Sequence, residues 1–326
     1  MKKGNISVFV PHIGCPQQCS FCNQKTITGH SAAPSASDVV QAVETALANN
    51  KDNKFEYEIA FFGGSFTAIE RDYMLSLLGA AKPYVESGAL KGIRVSTRPD
   101  AIDDEILSLL KSYCVTAIEL GAQSMDDKVL AANLRGHTAQ DVRAASALIN
   151  ASGFELGLQM MTDLYQSTPE KDIETAREFA KLNPKTVRIY PTVVLRGTYL
   201  AELFESGRYI PSPLEDTVSL CAELVEFFER QGIEVIRVGL HSSEDIKHNM
   251  LAGGYHESLG EMVISKIMLG RIMQNPPGDY HVYINEKSIS KLLGNKKSNI
   301  IALHNAGYQL EIKFDNTLGG NEIKVV

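Results

Sequence analysis

Three cysteines lie close together near the N-terminus, in the segment GCPQQCSFCN at residues 14–23. Cys15, Cys19 and Cys22 have the spacing Cys-x3-Cys-x2-Cys, and the aromatic Phe21 directly precedes the third cysteine. Clustered thiolates are ligands for a metal or a metal cluster, whereas three inert thiols so close together are a poor way to fill a hydrophobic core. Four thiolates close a structural metal site, so a set of three needs a further ligand.

Two kinds of metal site agree with three cysteines. An iron–sulfur cube that is held by three thiolates leaves one iron without a protein ligand, and a substrate or cofactor can bind that iron. A zinc site needs a fourth protein ligand, for which His12 and His30 are the nearby candidates. The residues alone leave both sites open.

The composition indicates a globular protein of a reducing compartment. The chain has 326 residues, of which 44% are hydrophobic, and a net charge of −7. That charge excludes a general affinity for nucleic acid but allows a local basic patch. No apolar run is long enough to span a membrane, and the N-terminal apolar stretch is too short for a signal peptide. We therefore expect a cytoplasmic protein without a membrane partner, in which clustered cysteines bind metal or act in catalysis.

Short apolar runs alternate with helical patterns up to residue 191. Runs rich in Val, Ile, Leu and Phe predict buried parallel strands at 5–11, 57–63, 92–98, 115–122, 155–161 and 186–191. Helices are predicted between them at 37–49, 70–86, 103–112, 126–150 and 169–182. Six such units predict an α/β fold, a partial (βα)6 TIM-like barrel, with a flat doubly wound sheet as the alternative. Ligands gather at the carboxyl ends of the strands in both folds.

The pattern changes after residue 198. Helices at 214–231 and 257–273 flank a predicted strand at 234–240, and NPPG at 275–278 is the clearest break in the chain. The remaining residues follow the order strand, helix, helix, strand, strand. We therefore divide the chain into a βα barrel core (1–195), an extension that packs on the barrel (196–274) and a small α+β module (275–326).

The cysteine spacing with its aromatic residue resembles the signature of the radical SAM superfamily. The resemblance implies that Cys15, Cys19 and Cys22 hold a [4Fe–4S] cluster, and that the amino and carboxylate groups of S-adenosylmethionine (SAM) chelate the open iron. It also implies that an electron from the cluster, supplied by a reducing partner such as ferredoxin or flavodoxin, cleaves SAM to a 5′-deoxyadenosyl radical. Phe21 is then expected beside the adenine.

The segment FFGGSFTA at 61–68 ends the second predicted strand in two glycines. Glycine lets a backbone approach a ligand closely because it carries no Cβ. Radical SAM proteins hold the amino group of SAM at this position, so the resemblance implicates Gly63, Gly64 and Ser65. A Gly-Gly pair after a strand is otherwise an ordinary turn.

Three further segments narrow the family: STRPDAIDDEILSLL (96–110), IELGAQSMDDKVLAANLRGHT (118–138) and IYPTVVLRGTYLAELFESGRY (189–209). They resemble the radical SAM domain of the Elongator catalytic subunit and its bacterial relatives, over roughly residues 5–273. Oxygen-independent coproporphyrinogen oxidases are more distant. The Elongator subunit spaces its first two cysteines more widely than this chain does. The resemblance implies further SAM contacts, at Ser96, Thr97, Gln123, Arg135 and Met160.

Several of these residues also have simple structural interpretations. The alternative for Gln123 is a cap of the strand end, and the alternative for Arg135 is a solvated helix charge. Glu119 lies in the middle of a strand and needs a partner if it is buried, for which Arg98 and Arg135 are candidates. The candidates for contact with a substrate are Tyr190 and Arg196. Their alternative role is to hold the sixth strand to the segment that follows.

Two isolated cysteines and the three histidines of the segment 239–258 are further candidates for a reactive role. Cys114 and Cys221 lie in apolar surroundings and are expected in the core, so no second cluster is predicted. Helical spacing does not bring His241, His248 and His256 onto one face, so solvated or substrate-facing positions are expected for them.

The C-terminal segment resembles a KH domain, which clamps a nucleic-acid backbone with a Gly-x-x-Gly loop between two helices. Here Gly294 occupies the first glycine position and Lys297 replaces the second. Lys291, Lys296 and Lys297 form a local basic patch suited to phosphate contacts. These four residues are the candidate RNA contacts. The alternative is a small cap with charged turns that covers the barrel.

The sequence thus favours a radical SAM enzyme that modifies a nucleotide in RNA (tRNA or rRNA). The Elongator subunit acts on tRNA wobble uridine and carries an acetyltransferase domain, but we expect no acetyl-CoA domain in this chain. The first alternative is an enzyme acting on a small molecule such as a porphyrinogen. The second is a protein of the same fold that carries haem or a cluster without cleaving SAM.

Overall fold

The computed structural model describes residues 2–10, 15, 18–23, 33–50, 54–241 and 243–326. His12 and His30, the candidate fourth ligands of a zinc site, lie outside the described residues. Within those ranges, no helix is both long enough and apolar enough to cross a lipid bilayer.

All six predicted barrel strands form, and they lie side by side in chain order as one parallel sheet. They are β1 (Lys2–Val10), β2 (Phe55–Gly63), β3 (Ile93–Thr97), β4 (Val115–Gln123), β5 (Glu155–Thr162) and β6 (Thr186–Pro191). The connecting helices are α1 (Ala36–Asn49), α2 (Arg71–Glu86), α3 (Asp104–Ser112), α4 (Asp127–Ala132), α5 (Ala139–Ala151) and α6 (Pro169–Lys181). Their apolar faces cover the outer face of the sheet and form the main core with it.

The prediction of a single helix at 126–150 is wrong, because the chain forms two helices there, α4 and α5. Leu134 and Gly136 have φ angles of 57° and 71°, which a right-handed helix cannot contain. The segment between α4 and α5 therefore turns away from the helix axis. This break carries Arg135 and His137 into the interior, where both are buried.

The extension contributes a seventh strand to the sheet. After β7 (Val193–Leu195), α7 (Tyr199–Glu205) and α8 (Leu214–Arg230), β8 (Glu234–Val238) pairs parallel with β6. The sheet curls so far that its two edge strands approach, with Lys3 Nζ of β1 at 3.9 Å from Glu234 Oε2 of β8. The sheet is thus a curled half-barrel. The extension continues with α9 (Glu244–Asn249), β9 (Met250–Gly253), which pairs with β7, and α10 (Leu259–Met273).

The C-terminal residues follow the predicted order of elements. They form β10 (Asp279–Ile284), α11 (Ile289–Leu293), α12 (Ser298–Asn305), β11 (Gln309–Phe314) and β12 (Ile323–Val325). The three strands make a sheet in which β10 is central, parallel to β11 and antiparallel to β12. Met268 and Ile272 of α10 are fully buried in the same core as Val282 and Leu303. A boundary at 274/275 therefore passes through a shared hydrophobic core.

Candidate functional site

A cavity of about 240 Å³ opens at the carboxyl ends of the strands. Parallel strands of a half-barrel end at the same edge, so polar residues that are far apart in sequence meet there. Twelve of the predicted cluster, cofactor and substrate residues line this cavity: Cys15, Cys19, Phe21, Cys22, Gly63, Gly64, Ser65, Ser96, Thr97, Gln123, Arg135 and Tyr190.

The three cysteines face this cavity in a polar environment. The backbone N–H of Ser65 donates to the sulfur of Cys15, and Arg135 Nη1 lies 3.1 Å from Cys19 Sγ. Burial raises the pKa of the Cys15 thiol, an effect that a bound metal reverses because a coordinating thiol is deprotonated. In the described ranges, no three His, Cys, Asp or Glu side chains converge on the position of a single metal ion. Three thiols that line one cavity fit the donor set of an iron–sulfur cluster.

The two glycines at the end of β2 form a turn whose first position accommodates only glycine. Gly63 has a φ of 117°, and a Cβ at this position would stand 2.3 Å from the carbonyl oxygen of Val10. The N–H of Gly64 donates to the same oxygen at 2.9 Å. Ser65 is buried, and its hydroxyl lies 2.9 Å from that of Thr97 and accepts from the N–H of Arg98. The Gly63–Ser65 segment is therefore held in place by hydrogen bonds to the ends of β1 and β3.

Arg135 is a buried cavity residue and not a solvated helix charge. The residue is 7% exposed, and its guanidinium donates through Nη2 to the carbonyl of Gly121 at 2.5 Å. The next residue but one, His137, lies with Nε2 at 3.1 Å from Ala122 O. Burial, and then the charge of Arg135, lower the pKa of His137 to about 4, so this imidazole is neutral at physiological pH. Because His137 is neutral, Arg135 is the one charge that the segment between α4 and α5 places beside Cys19.

The buried carboxylate in the middle of β4 has a partner that the sequence analysis did not name. Glu119 is 1% exposed and accepts from Arg188 Nε at 2.7 Å. Ser96 and Gln159 also donate to it. The prediction that Arg98 or Arg135 is the partner of Glu119 is wrong. Arg98 pairs with Asp100, and Arg135 donates to Gly121 O and Cys19 Sγ. Arg188 and Gln159 point inward from β6 and β5 and line the cavity.

Two predicted site residues lie elsewhere. The Met160 side chain is fully buried in the core between sheet and helices, and Met161 faces the cavity instead. The cause is strand alternation, because adjacent side chains of β5 point to opposite faces of the sheet. Arg196 is exposed and lies outside the cavity lining; its backbone carbonyl accepts from Asn23 Nδ2.

The two isolated cysteines and the three extension histidines differ in burial and in whether they line the cavity. Cys221 is fully buried in the main core, as predicted, and Cys114 is half-buried. Of the three extension histidines, His241 lines the cavity at its mouth, whereas His248 and His256 are exposed and outside its lining. Phe9 and Phe62 also line the cavity, although the sequence analysis did not identify them.

Comparison with protein families identifies the fold and its chemistry. The model of the radical SAM superfamily matches residues 9–181, and the model of the radical SAM C-terminal domain matches residues 184–268. The chain belongs to the radical SAM superfamily. Members of this superfamily use a [4Fe–4S] cluster and SAM, which agrees with the three cysteines at the cavity.

Curated relatives of the chain include Elongator complex protein 3 and a tRNA uridine(34) acetyltransferase. The chain is 34% identical over 234 residues to human Elongator complex protein 3, which covers 64% of this chain and 41% of that protein. It is 25% identical over 252 residues to the tRNA uridine(34) acetyltransferase of Dehalococcoides mccartyi, covering 67% of this chain and 55% of that protein. The chain thus spans about half the length of these relatives.

Solved structures show the same fold. The archaeal Elp3 of Methanocaldococcus infernus superposes with a TM-score of 0.64 and 20% identity, covering 85% of this chain and 65% of that structure. Coproporphyrinogen III oxidase (HemN) from Escherichia coli superposes with a TM-score of 0.50 and 17% identity, covering 71% of this chain and 53% of the other. The predicted resemblance to the Elongator subunit, and a more distant one to coproporphyrinogen oxidases, is confirmed.

Proposed function

We propose that this radical SAM enzyme cleaves SAM reductively and directs the resulting radical at a nucleotide in RNA. The observation that carries the proposal is the convergence of Cys15, Cys19 and Cys22 with the Gly63–Ser65 turn on one cavity. When bound, the cluster supplies the electron that breaks the C–S bond of SAM. The name of one relative, a tRNA uridine(34) acetyltransferase, supports RNA as the substrate class.

In this proposal the residues of the cavity have different roles in binding the cluster and SAM. The three cysteines hold the cluster, and the donor from Arg135 to the Cys19 sulfur makes that thiolate less electron-rich. The Gly63–Ser65 turn offers backbone groups to the methionine end of SAM without a Cβ in the way. Ser96, Thr97 and Gln123 supply polar groups next to them.

Apolar side chains shield the rest of the cavity. Phe9, Phe21, Phe62 and Met161 line it and exclude water from a reactive intermediate. Tyr190 stands among them, with a phenol whose pKa is raised by burial and which therefore stays protonated. It is the candidate substrate contact that remains, since Arg196 lies outside the cavity.

The C-terminal module (275–326) is the proposed RNA contact. Gly294 has a φ of 73°, and Lys296 and Lys297 also have positive φ angles, so the loop adopts a conformation that favours glycine. Both lysines are exposed and present their charges to solvent. Lys291 differs, because its ammonium binds Gly320 O and Asn321 Oδ1 within the module. We therefore assign phosphate contacts to Lys296 and Lys297 and a structural role to Lys291.

The decisive experiment is anaerobic. The protein is reconstituted with iron and sulfide, supplied with SAM and dithionite in place of the natural ferredoxin- or flavodoxin-like reductant, and assayed for 5′-deoxyadenosine with and without bulk cellular RNA. Product that rises with RNA is expected. Product that does not respond to RNA would indicate a small-molecule substrate, and a full cluster without product would indicate a carrier protein.

The RNA-binding loop has its own test and a matched control. Lys296→Glu/Lys297→Glu should weaken RNA binding at least about tenfold and reduce its salt dependence, because two phosphate contacts are lost. Lys287→Glu/Lys324→Glu makes the same charge change at exposed positions of the same module, away from the loop. Equal affinity of both double variants would contradict the assignment of the loop. Formation of 5′-deoxyadenosine without RNA should be unaffected in both.

A further inference from the structure

Three arginines of the described chain point to the inner face from strands β3, β6 and β8, and two of the three pair with carboxylates. Near the amino ends of the strands, Arg94 of β3 pairs with Glu58 at 2.6 Å and with Glu155 at 2.7 Å. Closer to the carboxyl ends of the strands, Glu119 of β4 pairs with Arg188 of β6. Each of these two arginines is thus neutralised by at least one buried or half-buried carboxylate.

The exception is Arg237 on the edge strand β8. It stands opposite Arg188 in the parallel register of β6 and β8, so both guanidiniums lie on the same face of the sheet. Its Nε donates to the carbonyl of Gly239 at 2.9 Å. No carboxylate in the part of the chain that the structure describes forms an ion pair with Arg237. A half-buried guanidinium without a counter-ion is costly, which makes this position unusual.

The two arginines respond to burial in opposite ways. Burial acts against both charges, but Glu119 more than offsets it at Arg188, whose pKa is raised. At Arg237, burial and the charge of Arg188 lower the pKa. Burial, and then the charges of the same two arginines, also lower the pKa of His241. Arg237 therefore places a positive charge close to Arg188 and His241, and no carboxylate of the described chain pairs with it.

Neutral hydrogen-bond donors stand beside the unbalanced charge. Tyr190 follows Arg188 by two residues on the same strand and lines the cavity, and the imidazole of His241 closes the mouth at 6.3 Å from the ring of Phe9. Arg188 itself lies over the ring of Phe62 at 4.9 Å, which fixes the plane of its guanidinium. We call these four side chains the β6–β8 cluster: Arg188, Tyr190, Arg237 and His241.

We propose that the β6–β8 cluster is an oxyanion subsite, which binds a phosphate or carboxylate group of the substrate. Arg188, Tyr190 and His241 line the cavity and supply donors to such a group. Arg237 is not among the lining residues, but it stands beside Arg188 on the same face of the sheet and adds a charge that the group would balance. The inference rests on the proposed function only in placing a substrate in this cavity. It requires neither RNA nor a particular radical reaction.

Inorganic phosphate is the probe that tests the subsite. Cluster-loaded protein with saturating SAM, which occupies the other positive groups of the cavity, is titrated with phosphate under anaerobic conditions and followed by the ³¹P linewidth. Arg237→Gln should weaken phosphate binding at least about tenfold, because a hydrogen-bonded charge is removed. Arg237→Lys keeps the charge and should recover most of the binding. Arg230→Gln removes an exposed arginine of α8 and should change nothing.

Each outcome decides the proposal. Phosphate binding that is absent from the wild-type protein, or equal in Arg237→Gln and wild type, would overturn it. Competition with acetate identifies the natural group: equal displacement indicates a carboxylate, and retained phosphate indicates a phosphate ester such as that of a nucleotide. Because the titration involves neither RNA nor turnover, a failure of RNA modification would leave its result unaffected.

Discussion

The buried pair Glu119–Arg188 gives the most quantitative prediction. The two side chains are 1% and 9% exposed, and the nitrogen and oxygen atoms lie 2.7 Å apart. Removing one partner from a buried ion pair costs about 3–5 kcal/mol, because the other charge stays buried without compensation. Glu119→Gln retains one acceptor for Arg188, so we expect the lower value, about 3 kcal/mol of unfolding free energy.

The assay is urea denaturation of the cluster-free protein, followed by circular dichroism. A second variant, Glu119→Gln/Arg188→Met, removes both charges and keeps an apolar stem over Phe62, so it should recover about 2 kcal/mol of the loss. The control is Glu174→Gln, which breaks an exposed pair with Arg177 and should cost less than about 1 kcal/mol. A Glu119→Gln protein as stable as this control, or a double variant no better than the single one, would refute the reasoning.

Three further predictions address the site and its support. Gly63→Ala should lower the thermal unfolding midpoint, since its Cβ would meet Val10 O at 2.3 Å, whereas Gly270→Ala, at an open helix position, should raise it slightly. Burial raises the pKa of Asp172 to about 7, so the unfolding free energy should fall as pH rises from about 4 to about 7, and Asp172→Asn should flatten that dependence. Cys19→Ala should abolish iron binding after reconstitution and Cys221→Ala, in the core, should not; full iron content in Cys19→Ala would disprove the cluster assignment.

The sheet was predictable because its strands are short apolar runs. Residues 155–161 were predicted as a strand, and β5 covers Glu155–Thr162. Such runs can be recognised from one sequence, since parallel strands are covered on both faces. The break at Leu134–Gly136 was missed because α4 and α5 both have helical periodicity, and only the glycine at 136 indicated an end. That one glycine decides whether Arg135 faces solvent or the cavity.

The sequence predicts the positions of the strands better than it predicts which residues of a strand face the site. Met160 and Met161 are chemically alike, and only the register of β5 against β4 and β6 assigns one to the core and the other to the cavity. The partner of Glu119 was missed for a related reason. Arg188 is 69 residues away along the chain, and strand order had to be known before the two could be placed together.

The charges of the half-barrel interior can be separated by the task they perform. Where a charge serves the fold, the chain supplies its counter-ion, as for Arg94 with Glu58 and Glu155. Two other arginines lack such a counter-ion: Arg135 in the cavity donates to a cysteine sulfur, and Arg237 beside Arg188 has no carboxylate partner in the described chain. A half-buried charge that lowers stability persists only if something else requires it. This argument makes Arg237, which no cysteine or glycine motif indicates, the residue whose replacement should separate substrate binding from SAM cleavage.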